Sequence, residues 1–425
     1  MKPLFLLFFF SYFSYAQINI KGTVLSPDNT PLEGAAVYLN NTSIATFTDW
    51  KGSFKLYIEK GKHLLIVSYL GHKTIHEEIL IDDQNTIQNL EFRLEEEDDT
   101  LDEIIINSKD NNSNTGNTLK LVKSKRSRYS DFQKFRTGFL GRSTFANRCK
   151  IVNREALSYY YTPQTDHFIV TAKEPIVVIN NDLGYKIHYD LIKYEQKKLI
   201  IGYVGYSRYE ELEGGKRSKK RWERNRLIAY NGSVMHFLRS LVRVNTKEEG
   251  FDMDLMFRIP NINYPTEKEL RFAKKLFRDL ERYNVPIDYN KTIIIPETRI
   301  DSAILIHRRE LKHKKIIDTI IRKDIRYSDV TYRLSGKAFM NFNGLLKVTY
   351  NNEKEEFEYK NDQKVWSGKQ VSKFILINTP QEILPIGQLS DPTNHLVEGY
   401  WSYEKFAVAL PLNYIPPEKP KIVAN

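Results

Sequence analysis

Short strands separated by turn sequences are the feature that most constrains the fold of this chain. Between residues 18 and 94, turns such as Ser26-Pro27-Asp28-Asn29 and Asp49-Trp50-Lys51-Gly52 recur at intervals of about 8–12 residues. Within residues 53–58 the side chains alternate, which places Phe54, Leu56 and Ile58 on one face. The predicted strands are residues 18–25, 35–39, 44–48, 53–58, 63–69, 73–81 and 89–94. The pattern predicts an all-β, seven-strand sandwich over residues 17–95.

Four motifs in this segment carry a resemblance to a known family. They are Gly22-Thr23-Val24, Pro31-Leu32-Glu33-Gly34-Ala35-Ala36-Val37, Thr48-Asp49-Trp50-Lys51-Gly52-Ser53-Phe54 and Val67-Ser68-Tyr69-Leu70-Gly71-His72. Together they resemble the carboxypeptidase-regulatory-like domain, a transthyretin-like (prealbumin-like) module common in exported and outer-membrane proteins of Bacteroidota. The resemblance implies a fold and a location without a catalytic activity, because in carboxypeptidases the module sits beside the zinc domain and does not itself cleave.

No metal or cofactor site is predicted. The sequence lacks the His-x-x-Glu and His-Glu-x-x-His patterns of zinc peptidases. His72 and His76 would lie about 13 Å apart on a strand, too far to share one metal ion. Cys149 is the one cysteine, so an intramolecular disulfide is impossible. We expect a buried small side chain there, with a nucleophilic thiol as the alternative.

The first 16 residues have the features of a signal peptide. Lys2 precedes a short apolar run over residues 4–13, and Ser14-Tyr15-Ala16 places small residues where a signal peptidase cleaves. No later stretch is apolar over the length that a transmembrane helix needs. We therefore expect an exported protein of the periplasm or outer membrane.

Charge divides the chain into an acidic head and a basic body. Residues 17–110 contain 8 Lys and Arg against 17 Asp and Glu, whereas residues 111–425 contain 55 against 36. A basic body favours an anionic partner, and export makes nucleic acid the least favoured of these. Residues 96–128 are predicted to be a linker, acidic and then Asn/Ser-rich; its start is similar to the N-terminal extension of TonB-dependent receptors. The remaining length is shorter than a receptor plug and barrel require.

Residues 129–416 are predicted to form a strand-rich α+β domain, followed by a tail over 417–425. Predicted helices begin after Gly232, at Thr266, where Thr266 and Glu269 form a capping-box pattern, and at Ser402. A hairpin is expected over residues 345–350 and 355–359, and another strand over 370–377. Segments 181–185, 230–239, 398–402 and 410–414 resemble an exported Bacteroidota family with the same domain pair, which implies organisation and not chemistry.

Two sets of polar residues are candidate sites. Ser233, His236 and Arg239 have the spacing of one helix face, which suggests a hydrolase; the alternative is a cap followed by a polar surface. The second set is a basic run with one aromatic residue, predicted either to bind an anionic glycan or lipid head group, with Trp222 stacking on a sugar, or to be a solvated loop. Its members are Lys216, Arg217, Lys219, Lys220, Arg221, Trp222 and Arg224.

These features predict a non-enzymatic cell-envelope protein whose C-terminal domain binds a glycan, a lipid head group or a partner protein. An envelope hydrolase that uses Ser233 and His236 is the alternative.

Overall fold

The structure is a computed structural model that describes residues 18–82, 89–96, 122–123, 128–162, 167–362 and 368–417. The predicted signal peptide, nearly all of the predicted linker and nearly all of the tail lie outside the described residues. The signal peptide and the linker boundary therefore stay predictions.

Seven strands form the N-terminal sandwich, as the sequence predicted. They are β1 (Ile18–Leu25), β2 (Ala36–Leu39), β3 (Ala45–Phe47), β4 (Ser53–Ile58), β5 (Gly61–Ser68), β6 (Ile75–Ile81) and β7 (Asn89–Arg93). One sheet has the order β4-β1-β7 and the other has the order β3-β2-β5-β6. Phe54, Leu56 and Ile58 are buried in the core between the sheets while Tyr57 is half exposed, so the predicted alternation is confirmed.

The following elements continue the chain. They are β8 (Val122–Lys123), α1 (Arg128–Leu140), α2 (Thr144–Arg148), β9 (Cys149–Ile151), β10 (Leu157–Thr162), β11 (His167–Ala172), β12 (Ile176–Asn180), β13 (Tyr185–Lys197), β14 (Ile200–Glu211), α3 (Lys216–Tyr230), α4 (Val234–Arg243) and β15 (Phe251–Pro260). Next come α5 (Glu267–Arg282), α6 (Arg299–Lys312), β16 (Ile316–Arg322), β17 (Thr331–Leu334), β18 (Lys337–Met340), β19 (Leu345–Tyr350), α7 (Phe357–Asp362), β20 (Gln370–Leu376), β21 (Gln381–Leu384), β22 (Gln388–Leu389), β23 (His395–Gly399) and α8 (Tyr400–Glu404). The strand-rich architecture with some helices is as predicted.

As far as they are described, these elements fall into two compact units. Unit 1 contains residues up to Met235 together with 356–364 and those from Ser402 onward. Unit 2 contains residues 236–355 and 365–401.

A seven-stranded sheet with an aromatic core dominates unit 1 after the sandwich. Its order is β8-β10-β11-β13-β12-β9, and β14 pairs with the long strand β13. Phe139 of α1 packs against this sheet, with its ring centroid 5.0 Å from that of Tyr189 and 4.5 Å from that of Phe406. Tyr194 and Phe135 are fully buried beside them. Rings of this size supply the large apolar area that holds α1 on the sheet.

The β2–β3 turn of the sandwich docks within unit 1 on strand β14. The backbone N–H of Asn41 donates to Ser207 O at 2.8 Å, and that of Tyr209 donates to Thr42 O at 3.0 Å. The hydroxyl of Ser207 donates to Asn41 Oδ1 at 2.6 Å. From the C-terminal segment, the N–H of Leu412 donates to Asn41 O at 2.7 Å. The turn is thus held by backbone pairing as well as by side chains, which ties the sandwich to β14.

Unit 2 contains two sheets and one helical hairpin. The larger sheet has the order β16-β15-β19-β20-β23, and the smaller has the order β17-β18-β21-β22. Strands β15 and β16 are antiparallel neighbours, and α5 and α6 form the connection between them. The hairpin therefore leaves the sheet at one end of β15 and returns to it at the start of β16.

Several sequence expectations for the C-terminal part are confirmed, one is wrong, and one differs in where a helix begins. Thr266 caps α5 with both arms of the predicted capping box, and the predicted strand over 370–377 is β20. Strand β19 is present, but its predicted hairpin partner at 355–359 is not a strand, because Phe357–Asp362 forms helix α7. The last predicted helix begins at Tyr400 and not at Ser402.

Candidate functional site

The basic run lies on a helix and not in a loop. Helix α3 begins after Gly215 and buries Trp222, Ala229 and Tyr230. The alternative interpretation of a solvated loop is therefore wrong for Lys216–Tyr230. Hydrophobic periodicity does not predict this helix, because too few of its residues are apolar to form a repeating pattern.

Trp222 anchors α3 to the turn between β12 and β13. The side chain is only 6% exposed, and its indole N–H donates to Asn181 O at 2.9 Å. Gly184 and Gly214 lie against its ring, and a Cβ at either position would overlap it. Gly184 also has a φ of +69°, in the left-handed region that favours glycine. This burial corrects the expectation that the Trp222 ring stacks on a sugar, since its faces are covered by the protein.

Two polar residues of α3 extend this anchor. The side chain of Asn225 donates to Asp182 O at 2.9 Å, and Arg226 Nε donates to Leu183 O at 2.8 Å. The Arg226 guanidinium also pairs with Glu211 at 2.6 Å and lies 4.0 Å from the ring centroid of Tyr185. These contacts satisfy the turn's carbonyl groups and commit Arg226 to the fold.

Five of the six remaining cations of α3 face outward on one surface, which we call the α3 stripe. At 3.6 residues per turn its members occupy an arc of about 140° opposite Trp222. They are Lys216, Arg217, Lys220, Arg221 and Arg224, all exposed. In the described part of the chain none of them lies within ion-pair distance of a carboxylate; Arg221 makes a long contact of 3.4 Å with Asn181 O. Lys219 is also exposed but lies outside this arc, about 60° around the helix from Trp222.

The candidate catalytic residues each have a partner within the fold. Ser233 Oγ donates to Tyr230 O at 2.6 Å. In unit 2, His236 is 2% exposed and its Nε2 lies 3.1 Å from Glu249 Oε2. Arg239 is 5% exposed and donates through Nε to Ile386 O at 3.0 Å. These contacts account for all three residues as parts of the packing.

Glu249 is the acidic partner of His236 that the sequence did not indicate. It follows α4 by a short turn that brings its carboxylate back to the helix, where Asn245 Nδ2 donates to its other oxygen at 3.3 Å. The His236 ring packs edge-on against Phe251 and Tyr350, with centroid distances of 4.9 and 5.7 Å. The imidazole is thus buried among aromatic side chains, whereas the Glu249 side chain is 21% exposed.

Cys149 has the environment of a structural residue. It is 5% exposed, and burial raises the pKa of its thiol to about 12. A thiol that stays protonated at neutral pH is a poor nucleophile. The structure thus agrees with the expectation of a buried small side chain.

No group of three His, Cys, Asp or Glu side chains in the described ranges has a geometry that could hold a metal ion. None of the helices within those ranges is both long and apolar enough to cross a bilayer.

Comparison with known proteins identifies the N-terminal part of the chain. Residues 20–106 match the family model of the CarboxypepD_reg-like domain, so this part is a carboxypeptidase-regulatory-like domain. Over 91 residues the chain is 30% identical to the TonB-dependent receptor P39 of Formosa agariphila. That match covers 21% of this chain and 8% of the receptor, so the chain spans only a small part of that relative's length.

Similar solved structures include a cohesin–X-dockerin complex of Acetivibrio cellulolyticus, at 13% identity with a TM-score of 0.16, covering 18% of this chain and 56% of that one. A DUF3823 family protein of Parabacteroides merdae is 10% identical with a TM-score of 0.15, over 49% of this chain and 87% of that one. TM-scores of this size do not establish a shared fold.

Proposed function

We propose that this chain is a non-enzymatic binding protein of the cell envelope, in which the α3 stripe holds an anionic polymer. The carboxypeptidase-regulatory-like domain and the similarity to a segment of a TonB-dependent receptor support an envelope location. The hydrolase alternative gains no support from Ser233 and His236, since both side chains are engaged within the fold.

The carrying observation is the concentration of unneutralised charge on one helix face. Five exposed cations extend from Lys216 to Arg224, a distance of about 12 Å along the axis. Such a convex surface suits a ligand with repeated phosphate or carboxylate groups better than a single small anion, because each group can meet a different side chain. Trp222 contributes by fixing the helix that presents these cations.

The test is a binding titration with two soluble probes, polygalacturonate for carboxylate groups and inorganic polyphosphate for phosphate groups. We expect the triple variant Lys216→Ser, Lys220→Ser, Arg224→Ser to bind more weakly than the wild type by roughly tenfold or more, at about 0.5–1 kcal/mol for each exposed contact. Wild-type binding should weaken steeply with added salt, because charges at this surface interact over a screening length of about 8 Å at physiological ionic strength. The two probes distinguish which anionic group the stripe prefers.

A variant of equal charge change provides the control. Lys150, Lys173 and Lys197 are exposed basic residues of unit 1 outside α3, and their joint replacement by Ser should leave binding nearly unchanged. Both variants should keep the thermal stability of the wild type, because all six side chains are exposed. Equal losses from the two triple variants would mean that only the net charge matters, and the proposed site would be wrong.

A further inference from the structure

A second basic surface lies in unit 2, along the exposed side of α5. Its five members follow one another at alternating spacings of three and four residues, so they form a single row on the helix within an arc of about 80°. They are Lys268, Arg271, Lys275, Arg278 and Arg282, all exposed; we call them the α5 ridge. The row is about 21 Å long, with a cation on every turn of the helix.

Acidic residues near this helix are mostly paired with cations outside the ridge. Glu269 pairs with Arg309 at 3.0 Å, and Glu267 lies 3.5 Å from Lys315. Glu310 of α6 pairs with Lys274 at 3.3 Å. No ion pair to a ridge side chain occurs within the described ranges, so the ridge presents its charge to solvent. Asp279 and Glu281 flank the row at its C-terminal end without an ion pair of their own in those ranges.

Several exposed apolar residues lie in the segment between the two helices of the hairpin. The segment that joins α5 to α6 exposes Tyr283 by 74%, Ile294 by 91% and Ile295 by 73%. Exposure of two adjacent isoleucines to this degree costs hydrophobic free energy in water. This segment folds back along α6, where Arg308 donates to Tyr289 O at 2.7 Å and to Lys291 O at 2.6 Å, and the two isoleucines follow in the stretch that leads to Thr298 at the start of α6.

An apolar groove runs between the two helices beside the ridge. It has a volume of about 560 Å³ and is lined by Ala273, Lys274, Phe277, Arg278, His307 and Glu310. Arg278 belongs to both the ridge and the groove, so an anionic group and an apolar chain would meet at this residue. A wholly polar polymer would leave the groove and the isoleucines unused.

We propose that the α5–α6 hairpin binds an anionic lipid surface. The ridge attracts the phosphate-bearing head groups, and the isoleucines enter the interfacial region of the bilayer. Basic side chains beside an anionic leaflet and apolar side chains at its boundary are the two contributions that hold peripheral proteins on membranes. The inference goes beyond the proposed function and rests on unit 2, whereas the α3 stripe lies in unit 1.

Vesicle flotation of the full chain tests the proposal. Vesicles of phosphatidylcholine alone are compared with vesicles in which part of the lipid is phosphatidylglycerol. We expect the wild type to bind the mixed vesicles and to bind the neutral ones far more weakly. Each basic residue near an anionic surface strengthens binding by about fivefold, so Lys268→Ser, Lys275→Ser, Arg282→Ser should weaken it by roughly 100-fold.

Three further variants separate the contribution of the isoleucines from that of the basic residues. Ile294→Ser with Ile295→Ser should weaken vesicle binding by roughly tenfold while leaving binding to soluble polyphosphate unchanged. The Lys150, Lys173 and Lys197 variant should bind vesicles as the wild type does. The α3-stripe variant should also retain vesicle binding, so failure of the α3 proposal and failure of this one are distinguishable.

Three results would overturn the inference. The first is equal binding of the wild type to neutral and mixed vesicles. The second is a ridge variant that binds mixed vesicles as tightly as the Lys150, Lys173 and Lys197 control while it keeps the wild-type melting temperature. The third is a wild type that does not bind mixed vesicles but whose polyphosphate binding is weakened by the ridge substitutions, which would make the ridge a site for a soluble polyanion.

Discussion

A network of four charged side chains in unit 2 provides a quantitative test of the structure. Arg258 on β15 donates to both oxygens of Asp318 on β16, at 2.7 and 3.0 Å, and to Glu398 on β23 at 2.8 Å. Lys373 on β20 also pairs with Asp318 and lies 3.5 Å from Glu398. Two acids and two bases from four strands thus neutralise one another across the larger sheet of unit 2.

Replacement of Asp318 by Asn should measure the contribution of this network. The Arg258 guanidinium, together with Lys373, lowers the pKa of Asp318 to about 2, and the Asp318 side chain is only 13% exposed. A carboxyl group whose pKa is about 3.9 in the unfolded chain would then stabilise the fold by at most about 2.5 kcal/mol. Because the Arg258 side chain is 42% exposed and screened by solvent, we expect a loss of about 1–2 kcal/mol in the variant at pH 6.

The pH dependence has a definite sign. Because the folded pKa of Asp318 is lowered, its stabilisation is present above about pH 4 and is lost as the pH falls through about 2. At pH 3 about half of it should remain, so the stability gap between wild type and Asp318→Asn should be about half the gap at pH 6. The assay is urea-dependent hydrogen exchange of peptides from β16 and β20, which reports on unit 2 alone.

Asp279→Asn is the control for this experiment. Asp279 is an exposed acid of the same unit on α5, and its replacement should change stability by less than about 0.5 kcal/mol. A gap for Asp318→Asn that is the same at pH 6 and pH 3 would refute the argument, because the stabilisation would then not depend on an ionised carboxylate.

Three further predictions concern unit 1. Trp222→Phe should destabilise the protein by about 1–3 kcal/mol in urea unfolding through loss of a buried hydrogen bond and of contact area, whereas Trp50→Phe, at a side chain that is 70% exposed, should change it little. Asn41→Ala should lower the free energy of unfolding by about 1–2 kcal/mol, since Asn41 has φ +57° and accepts a hydrogen bond from Ser207. Asn41→Gly should restore the part of this loss that comes from the positive φ. Burial lowers the pKa of Lys405 to about 8, so wild-type stability should rise as the pH increases from 8 towards 10, and this rise should be absent from Lys405→Met.

The sandwich could be predicted closely because its sequence alternates and its turns are marked by Gly, Pro and Asn. Strands β1 and β4 have the predicted bounds, and the other five differ by one or two residues at their ends. Helix α5 could be predicted equally well, since Thr266 and Glu269 form a local capping box that does not depend on tertiary contacts. Where local pattern and tertiary packing agree, sequence reasoning is sufficient.

The candidate site shows why the rest could not be predicted. Helix α3 is held by one indole and by polar donors, Asn225 and Arg226, which bond to carbonyl groups of a turn about forty residues earlier in the chain. Hydrophobic periodicity does not detect such an attachment, because its energy comes from hydrogen bonds and one large ring. The partnership of His236 with Glu249 was missed for a related reason, since it depends on how the turn after α4 folds back.

The segment 181–185 acquires a physical meaning from this arrangement. Its resemblance to an exported family carried no chemistry. Its backbone instead provides the acceptors for Trp222, Asn225 and Arg226, and Gly184 lets the Trp222 ring lie directly on the chain. Because the turn fixes α3 on one side, the cations on the other side keep a constant orientation towards solvent. The proposed binding surface, which consists of flexible Lys and Arg side chains, thereby has a rigid base, and a rigid base reduces the entropy that would be lost on binding a ligand.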